Sequence, residues 1–295
     1  MHKKEVLLFT TMSFYFFFLF HIHSRVPQII MNVVNSNKMN KPFDFITSSF
    51  AANLSDTYSI SIRQLPDGYR FYITNNNNIV VAIKQITTEH TTTQLLKEEP
   101  LLQLNYHSAT YIGYGPFALI PKPLVINENY TAFLPIENNL RHRAKTIINT
   151  LNDDILVASY SNQWTMPNMV CRKHHEIELL ASMALNSPTP NSMWAEITSQ
   201  HINIVVICNH KLHLANTYPI TCDNDAAYYI LACYQQLNLS QEEVELNIMG
   251  DLLTINPTPF LTDYIRHINS LKPQNWNAEL PNQYAPLFNL QTNQI

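Results

Sequence analysis

INIVVICNHKLHLANTYPITCDNDAAYYILACYQQLNLSQEEVELNIMG, Ile202 to Gly250, carries two strands, a helix and a third strand in unbroken order. INIVVIC, Ile202 to Cys208, is apolar at all positions but Asn203, and it has the length and β-branched content of a buried strand. A polar turn at Asn209 to Lys211 sends the chain back along LHLANTYPI. Asp223 then stands where a helix is capped, and Ala227, Ile230, Leu231 and Tyr234 fall on one face at spacings of three and four. VELNIM, Val244 to Met249, reads as a buried strand that ends at Gly250. Beyond it, Pro257 suits a first helical turn. Phe260, Leu261, Tyr264, Ile265, Ile268 and Leu271 line one stripe, which predicts a helix stopped by Pro273.

Upstream, the same rhythm occurs once more. YSISIR and YRFYI alternate with a period of two around Leu65, Pro66, Asp67 and Gly68, which is hairpin chemistry. Asn75 to Asn78 make the next turn, and IVVAIKQI, Ile79 to Ile86, is a third strand. A helix is expected near Thr93 to Leu104 despite Pro100, and extended chain from Tyr106 to Ile120, broken at Gly113, Gly115 and Pro116. Arg143 to Ser161 holds two further strands, and Met166 to Lys173 reads as a short helix. The fold class is therefore α/β, with two related subdomains built on mixed sheets flanked by helices. The first subdomain is expected over 41–185. The second, with a C-terminal tail, is expected over 186–295, joined through NSPTPN, Asn186 to Asn191.

Residues 1–40 form a hydrophobic extension. VLLFTTMSFYFFFLFHI, Val6 to Ile22, follows Lys3 and Lys4 in the layout of a membrane-targeting segment. Its length is at the short end of the roughly 17 to 25 residues of a spanning helix. No small-x-small cleavage site follows, and Arg25, Lys38 and Lys41 on its far side leave the orientation unset. Two expectations stay open: a cytoplasmic protein whose translation begins at Met31 or Met39, or one anchored in the inner membrane through residues 6–22.

Composition excludes several classes of function. Charged residues are 14% of the chain, against roughly 25% in ordinary soluble domains, and the net charge is -4. Nucleic acid and anionic lipid therefore find no general electrostatic attraction. The basic cluster Arg141, His142, Arg143 and Lys145 reads as a solvated face. Cys171, Cys208, Cys222 and Cys233 show neither zinc nor disulfide spacing and read as reduced thiols, with Cys233 in an apolar helical stripe.

Candidate chemistry is sparse. His174, His175, Glu176 and Glu178 are the densest group of metal-ligand types, but adjacent histidines diverge on a helix or strand, so surface or interface histidines are expected and no metal is assigned. His210 and His213 straddle a hairpin turn. Gly113-x-Gly115 lacks the rest of a dinucleotide fingerprint, Asp153 and Asp154 read as a turn, and Ser159 and Ser161 lack a hydrolase elbow. No catalytic residue is assigned. Of Tyr228 and Tyr229, only one can face the core of a helix.

Several of these stretches resemble a bacterial family. LANTYPITCDNDAAYYILACYQQLNL, Leu214 to Leu239, with VELNIMGDL, Val244 to Leu252, is similar to the domain of unknown function 3822 family, as are SISIRQLPDGYRFYI and FALIPKPL, Phe117 to Leu124. The resemblance spans Phe43 to Leu290. It implies a duplicated actin-like (ribonuclease H-like) ATPase fold, similar to pilus-assembly and secretion-platform proteins, and implies no activity.

Proteins of that fold hold nucleotide phosphates between their halves, on two hairpins with Asp-x-Gly turns whose backbone approaches the phosphates while carboxylates position magnesium. Here Asp67 and Gly68 are adjacent, AEITSQH, Ala195 to His201, contains no glycine, and Gly250 is followed by Asp251. The whole chain has 4 glycines. These departures favour a noncatalytic interaction or scaffold protein with a degenerate nucleotide site and an unidentified protein partner. The alternative is a nucleotide-binding ATPase or switch protein that holds ATP and magnesium at an atypical site around Asp67, Gly68, Gly250 and Asp251.

Overall fold

The computed structural model describes residues 42–87, 92–134, 145–161 and 171–292. The Val6 to Ile22 segment and Arg141 to Arg143 lie outside the described residues. Strands β1 (Phe43–Ile46), β2 (Ser59–Leu65), β3 (Gly68–Thr74) and β4 (Val80–Thr87) precede helix α1 (Thr92–Glu98) and strand β5 (Ser108–Gly113). A small sheet of β6 (Phe117–Pro121), β7 (Lys145–Thr150) and β8 (Ile155–Ser161) follows, then β9 (Cys171–His175) and α2 (Glu176–Leu185). The second half runs through β10 (Ser192–Ile197), β11 (His201–Cys208), β12 (Lys211–Pro219), α3 (Asp223–Gln236), β13 (Glu245–Gly250), α4 (Thr258–Leu261) and β14 (Ile268–Ser270) to α5 (Asn289–Thr292).

The duplication expected from the strand rhythm is present. Apart from the added edge strand β1, the first sheet has the order β4-β3-β2-β5-β9 and the second β12-β11-β10-β13-β14. In each, three antiparallel strands form a meander, and two parallel strands extend it on the side of the first strand. The third sheet, β6-β8-β7, is inserted in the crossover from β5 to β9.

Local chemistry fixes the turns. Asn209 and His210 have φ of 51° and 58°, and they close the two-residue loop between the paired residues Cys208 and Lys211, which needs positive φ at both positions. Asn78, with φ of 59°, closes the Asn75 turn, where Asn75 Oδ1 accepts the N–H groups of Asn77 and Ile79 at 3.0 Å each.

Side-chain alternation on β3 shows how the first sheet is covered, since all seven of its residues are buried. Tyr69, Phe71 and Ile73 join a core with Leu95, Leu101 and Leu102. Tyr72, on the opposite face, packs with Val80, Ile83, Leu287 and Phe288 from the end of the chain. Thus the last segment of the chain covers the first sheet. Helix α2, which follows the last strand of that sheet, instead packs on β10, β11 and β12 of the second, through Ile177, Leu180, Ala181 and Ala184.

Three sequence expectations are corrected. The helix expected over Thr93 to Leu104 ends at Glu98. Pro100 starts a separate 3-10 turn whose first residues are capped by the Glu99 carboxylate, because proline cannot continue the helical ladder. The helix expected up to Pro273 is only α4. Leu261 and Ile265 are buried as that stripe requires, but Ile268–Ser270 is strand β14, paired in parallel with Leu246, Asn247 and Ile248 of β13. Of the expected Met166 to Lys173 helix, residues 171–173 belong to strand β9, and the remainder lies outside the described residues.

Candidate functional site

The parity of two strands brings a set of charges together between the sheets. On β2, Ile60 and Ile62 face the α1 core, so Arg63 points to the opposite side. On β10, Trp194 faces α2 and Glu196 shares its side, next to Asn203 on β11 and Thr217 on β12. Arg63 donates from Nη2 to Glu176 Oε2 at 2.8 Å and from Nη1 to Glu196 Oε1. Glu176 Oε1 meets His201 Nε2 at 2.7 Å. Asn203 Nδ2 donates to Glu196 Oε2 at 2.9 Å, and Thr217 Oγ1 to Asn203 Oδ1 at 2.6 Å. Tyr114 stacks on the His201 ring at 5.9 Å. Arg63, Glu176 and Glu196 are each no more than 2% exposed.

Arg63 and Glu196 occupy matching places in the two halves. Arg63 pairs across the parallel ladder with Ile112, which precedes the glycine ending β5, and Glu196 pairs with Met249, which precedes the glycine ending β13. The duplicated fold thus sets a cation and an anion at equivalent positions and joins them.

Electrostatics follow from burial and pairing. Burial lowers the Arg63 pKa, but Glu196 and Glu176 outweigh it and hold the guanidinium above its ordinary value. Burial likewise opposes the Glu176 carboxylate and is overcome, chiefly by His201 and then Arg63, so Glu176 titrates well below the usual range. His201 is raised because Glu176 outweighs its burial. Arg70 stands directly opposite Arg63 on β3. Burial and that like charge lower it to about 10, against the pull of Asp251, Glu196 and Asp67. Its Nε and Nη2 donate to Gln85 Oε1 at 2.9 and 2.7 Å, and its Nη1 to the Leu287 carbonyl at 3.2 Å.

The start of α2 explains the histidine and glutamate cluster. Of the expected surface or interface histidines, His174 is half-buried and meets Glu178 Oε1 at 2.9 Å, whereas His175 is buried, as are Glu176 and Glu178. His175 is the N-cap: its Nδ1 accepts the Ile177 N–H at 3.2 Å, and Glu178 Oε2 accepts the His175 N–H at 3.2 Å. His175 Nε2 lies 3.1 Å from the Gly115 carbonyl and donates to it, because Nδ1 is committed as an acceptor. Burial lowers the His175 pKa, in keeping with a neutral ring. Among the described residues no group of three or more His, Cys, Asp or Glu is arranged to hold a metal ion.

Of the four residues named for a phosphate site, Asp67 and Gly68 sit at the β2–β3 turn and Gly250 and Asp251 at the end of β13. Asp67 and Asp251 both lie within electrostatic reach of Arg70. The two glycines have a packing explanation. A Cβ on Gly68 would stand 2.0 Å from the Ile86 carbonyl oxygen, and one on Gly250, whose φ is +99°, 2.1 Å from the Ile197 carbonyl oxygen. Asp251 is 3% exposed, and its Oδ1 accepts the Thr254 N–H at 3.2 Å. Its Oδ2 and the Nε of Arg63 are buried without a hydrogen-bond partner.

Sequence reasoning passed over Arg63, Arg70, Glu196 and His201. The signal was a lone charge inside an apolar first strand of each hairpin, SISIRQL and SMWAEI. Asp223, expected as a cap, is instead the first residue of α3, which follows Cys222. Two other readings on that helix are met. Tyr228 is 54% exposed, while Tyr229 stacks on Tyr218 with ring centroids 4.6 Å apart. Cys233 is buried on α3, and burial pushes its thiol up to about 11. Among the described residues no helix is long and apolar enough to cross a membrane.

This architecture is shared with solved structures. A Bacteroides thetaiotaomicron protein with an actin-like ATPase fold and unknown function matches at a TM-score of 0.63 and 21% identity, covering 82% of this chain and 97% of that one. The PilM-PilN type IV pilus biogenesis complex matches at a TM-score of 0.53 and 10% identity, covering 78% and 95%. At these identities the likeness shows the fold, which is actin-like. No curated protein matches the chain. The model of the family described as Protein of unknown function (DUF3822) matches residues 47–268, most of the chain, and the chain belongs to that family.

Proposed function

We propose that this chain is a noncatalytic interaction or scaffold protein, with an actin-like body held in one arrangement by its own charges. The observation that carries this reading is the buried set Arg63, Glu176, Glu196 and His201, which ties β2 and the start of α2 to β10 and β11 of the second half. Each charge in it is paired, so it presents no free cation to a phosphate. The close packing of Gly68 and Gly250 against neighbouring carbonyls gives those glycines a role that needs no ligand. One relative of the same fold is a complex with a protein partner, PilM with PilN. The place of work proposed is the cytoplasm. Fractionation that leaves the native protein in the membrane pellet would instead favour anchorage through Val6 to Ile22.

A second reading keeps ATP or another nucleotide with magnesium near Asp67, Gly68, Gly250 and Asp251. It is favoured by the unpartnered Asp251 Oδ2 and Arg63 Nε. Titration calorimetry with ATP and GTP plus magnesium separates the two readings. The scaffold reading expects no saturable heat at millimolar ligand, whereas micromolar binding that is lost in Asp251→Asn would overturn it.

A further inference from the structure

A groove of about 450 Å³ lies against α3, with Leu231, Leu239 and Tyr264 among its lining residues. Tyr234, Gln235, Asn238 and Gln241 also line it, so amides that can bond a peptide backbone accompany the aliphatic side chains. Its volume is within the roughly 300–1,000 Å³ of ligand clefts. Three large side chains close to it in the chain are well exposed: Tyr228 at 54%, Phe260 at 47% and Tyr264 at 56%. Tyr228 is three residues before Leu231 and seven before Gln235, so it extends the groove along one face of α3. Tyr264 lines the groove, and Phe260 lies four residues before it in α4. Exposed aromatic side chains close to a groove are a mark of interaction sites.

Charge defines the occupant. Between Lys211 and Lys272 the sequence has a single basic side chain of the Lys or Arg kind, Arg266, against Asp223, Asp225, Glu242, Glu243, Glu245, Asp251 and Asp263. Next in the chain to the lining residues Gln241 and Tyr264, Glu242, Glu243 and Asp263 are exposed, and Arg266 pairs with Glu242 at 3.2 Å. The residues flanking the groove are therefore acidic, around a lining of aliphatic and amide side chains. A second copy of this chain, itself at a net -4, is a poor electrostatic match for those residues.

We infer that the α3–α4 groove docks a partner protein through a short amphipathic segment, with aliphatic side chains on Leu231 and Leu239 and lysines or arginines over Glu242, Glu243 and Asp263. This inference rests on the scaffold reading and names its surface. Aliphatic anchors supply the affinity and the basic flanks the steering, so binding weakens with salt.

The test places a photoactivatable benzoylphenylalanine at position 264 of the full chain, at 228, and at the distant exposed control Ile126, which is 74% exposed. The cells that make the protein are irradiated, and the cross-linked peptides are sequenced. The inference expects adducts at 264 and 228 to a peptide of another protein that carries basic residues around aliphatic ones. It also expects at least a tenfold loss of that adduct when Glu242, Glu243 and Asp263 are all changed to Lys, at an unchanged melting temperature. Adducts at Ile126 alone, or to an acidic peptide, overturn the groove while leaving the scaffold reading intact. Adducts to this chain's own peptides make the groove a self-association surface and overturn it too. No adduct at any position counts against both.

Discussion

Replacing Arg63 with Met should destabilise the fold more than any exposed substitution does. The guanidinium is 1% exposed and holds two carboxylates that are themselves buried, Glu176 at 2.8 Å and Glu196. Removal leaves two anions in the interior with only His201 to balance them. Breaking a buried pair by deleting one partner costs roughly 3–5 kcal/mol, whereas an exposed pair contributes about 0–1. Against a total of about 5–15 kcal/mol, that is a large share of the native stability. For a unit of this size, at roughly 2–4 °C per kcal/mol, the melting temperature should fall by about 6–20 °C. Calorimetry or urea unfolding followed by circular dichroism measures it. The companion variant Arg63→Met with Glu176→Gln and Glu196→Gln removes both partner charges, and it should regain most of the loss because an uncharged buried set has no unpaired ion. A loss under about 1 kcal/mol in Arg63→Met would refute the reasoning. So would a triple variant no more stable than the single one.

Gly250→Ala and Gly68→Ala should each cost roughly 3 kcal/mol or more, since the new methyl group meets a backbone oxygen at 2.1 or 2.0 Å. Gly113→Ala, where the nearest atom is a Tyr111 ring carbon at 3.4 Å, should stay within about 1 kcal/mol, and denaturation midpoints compare the three. The two buried histidines should pull stability in opposite directions with pH. His175 is held neutral, so its contribution is complete above its unfolded value of about 6.5 and is lost as pH falls toward the lowered folded value. His201 is raised by Glu176, so its contribution is complete below about 6.5 and is lost as pH rises through the folded value. Urea midpoints between about pH 5 and 9 should therefore lose their acid-side decline in His175→Asn and their alkaline-side decline in His201→Asn. Either slope surviving its substitution would contradict the assignment.

The parts of the fold written locally were legible. The β2–β3 hairpin, the β11–β12 turn and helix α3 follow from periodicity and turn residues within a few positions of one another. Strand β14 was hidden because its three residues are defined by a parallel neighbour more than twenty positions away, while the apolar spacing around them fits a helix equally well. The α2 capping box was hidden by its cap, because a histidine takes the place usually held by serine or threonine, although Glu178 stands where such a box requires. Arg63 and Glu196 were visible as lone charges in apolar strands, but their meeting depends on how two sheets face one another.

That meeting point carries the argument between the two functional readings. A duplicated fold that repeated the same residue at both equivalent positions would set like charges against each other. Arg63 and Glu196 resolve this by being opposite, and Glu176 and His201 add a second balanced pair. Asp67 and Asp251 also attract Arg70, whose charge is disfavoured first by burial and then by Arg63. A nucleotide entering here would add negative charge to a region where four carboxylates already meet two arginines and a histidine. It would need magnesium to do so, and the carboxylates nearest the paired arginine are taken up with holding it. The same charges need no addition to hold the two halves together, which is the condition a scaffold requires and a hydrolytic cycle would have to break.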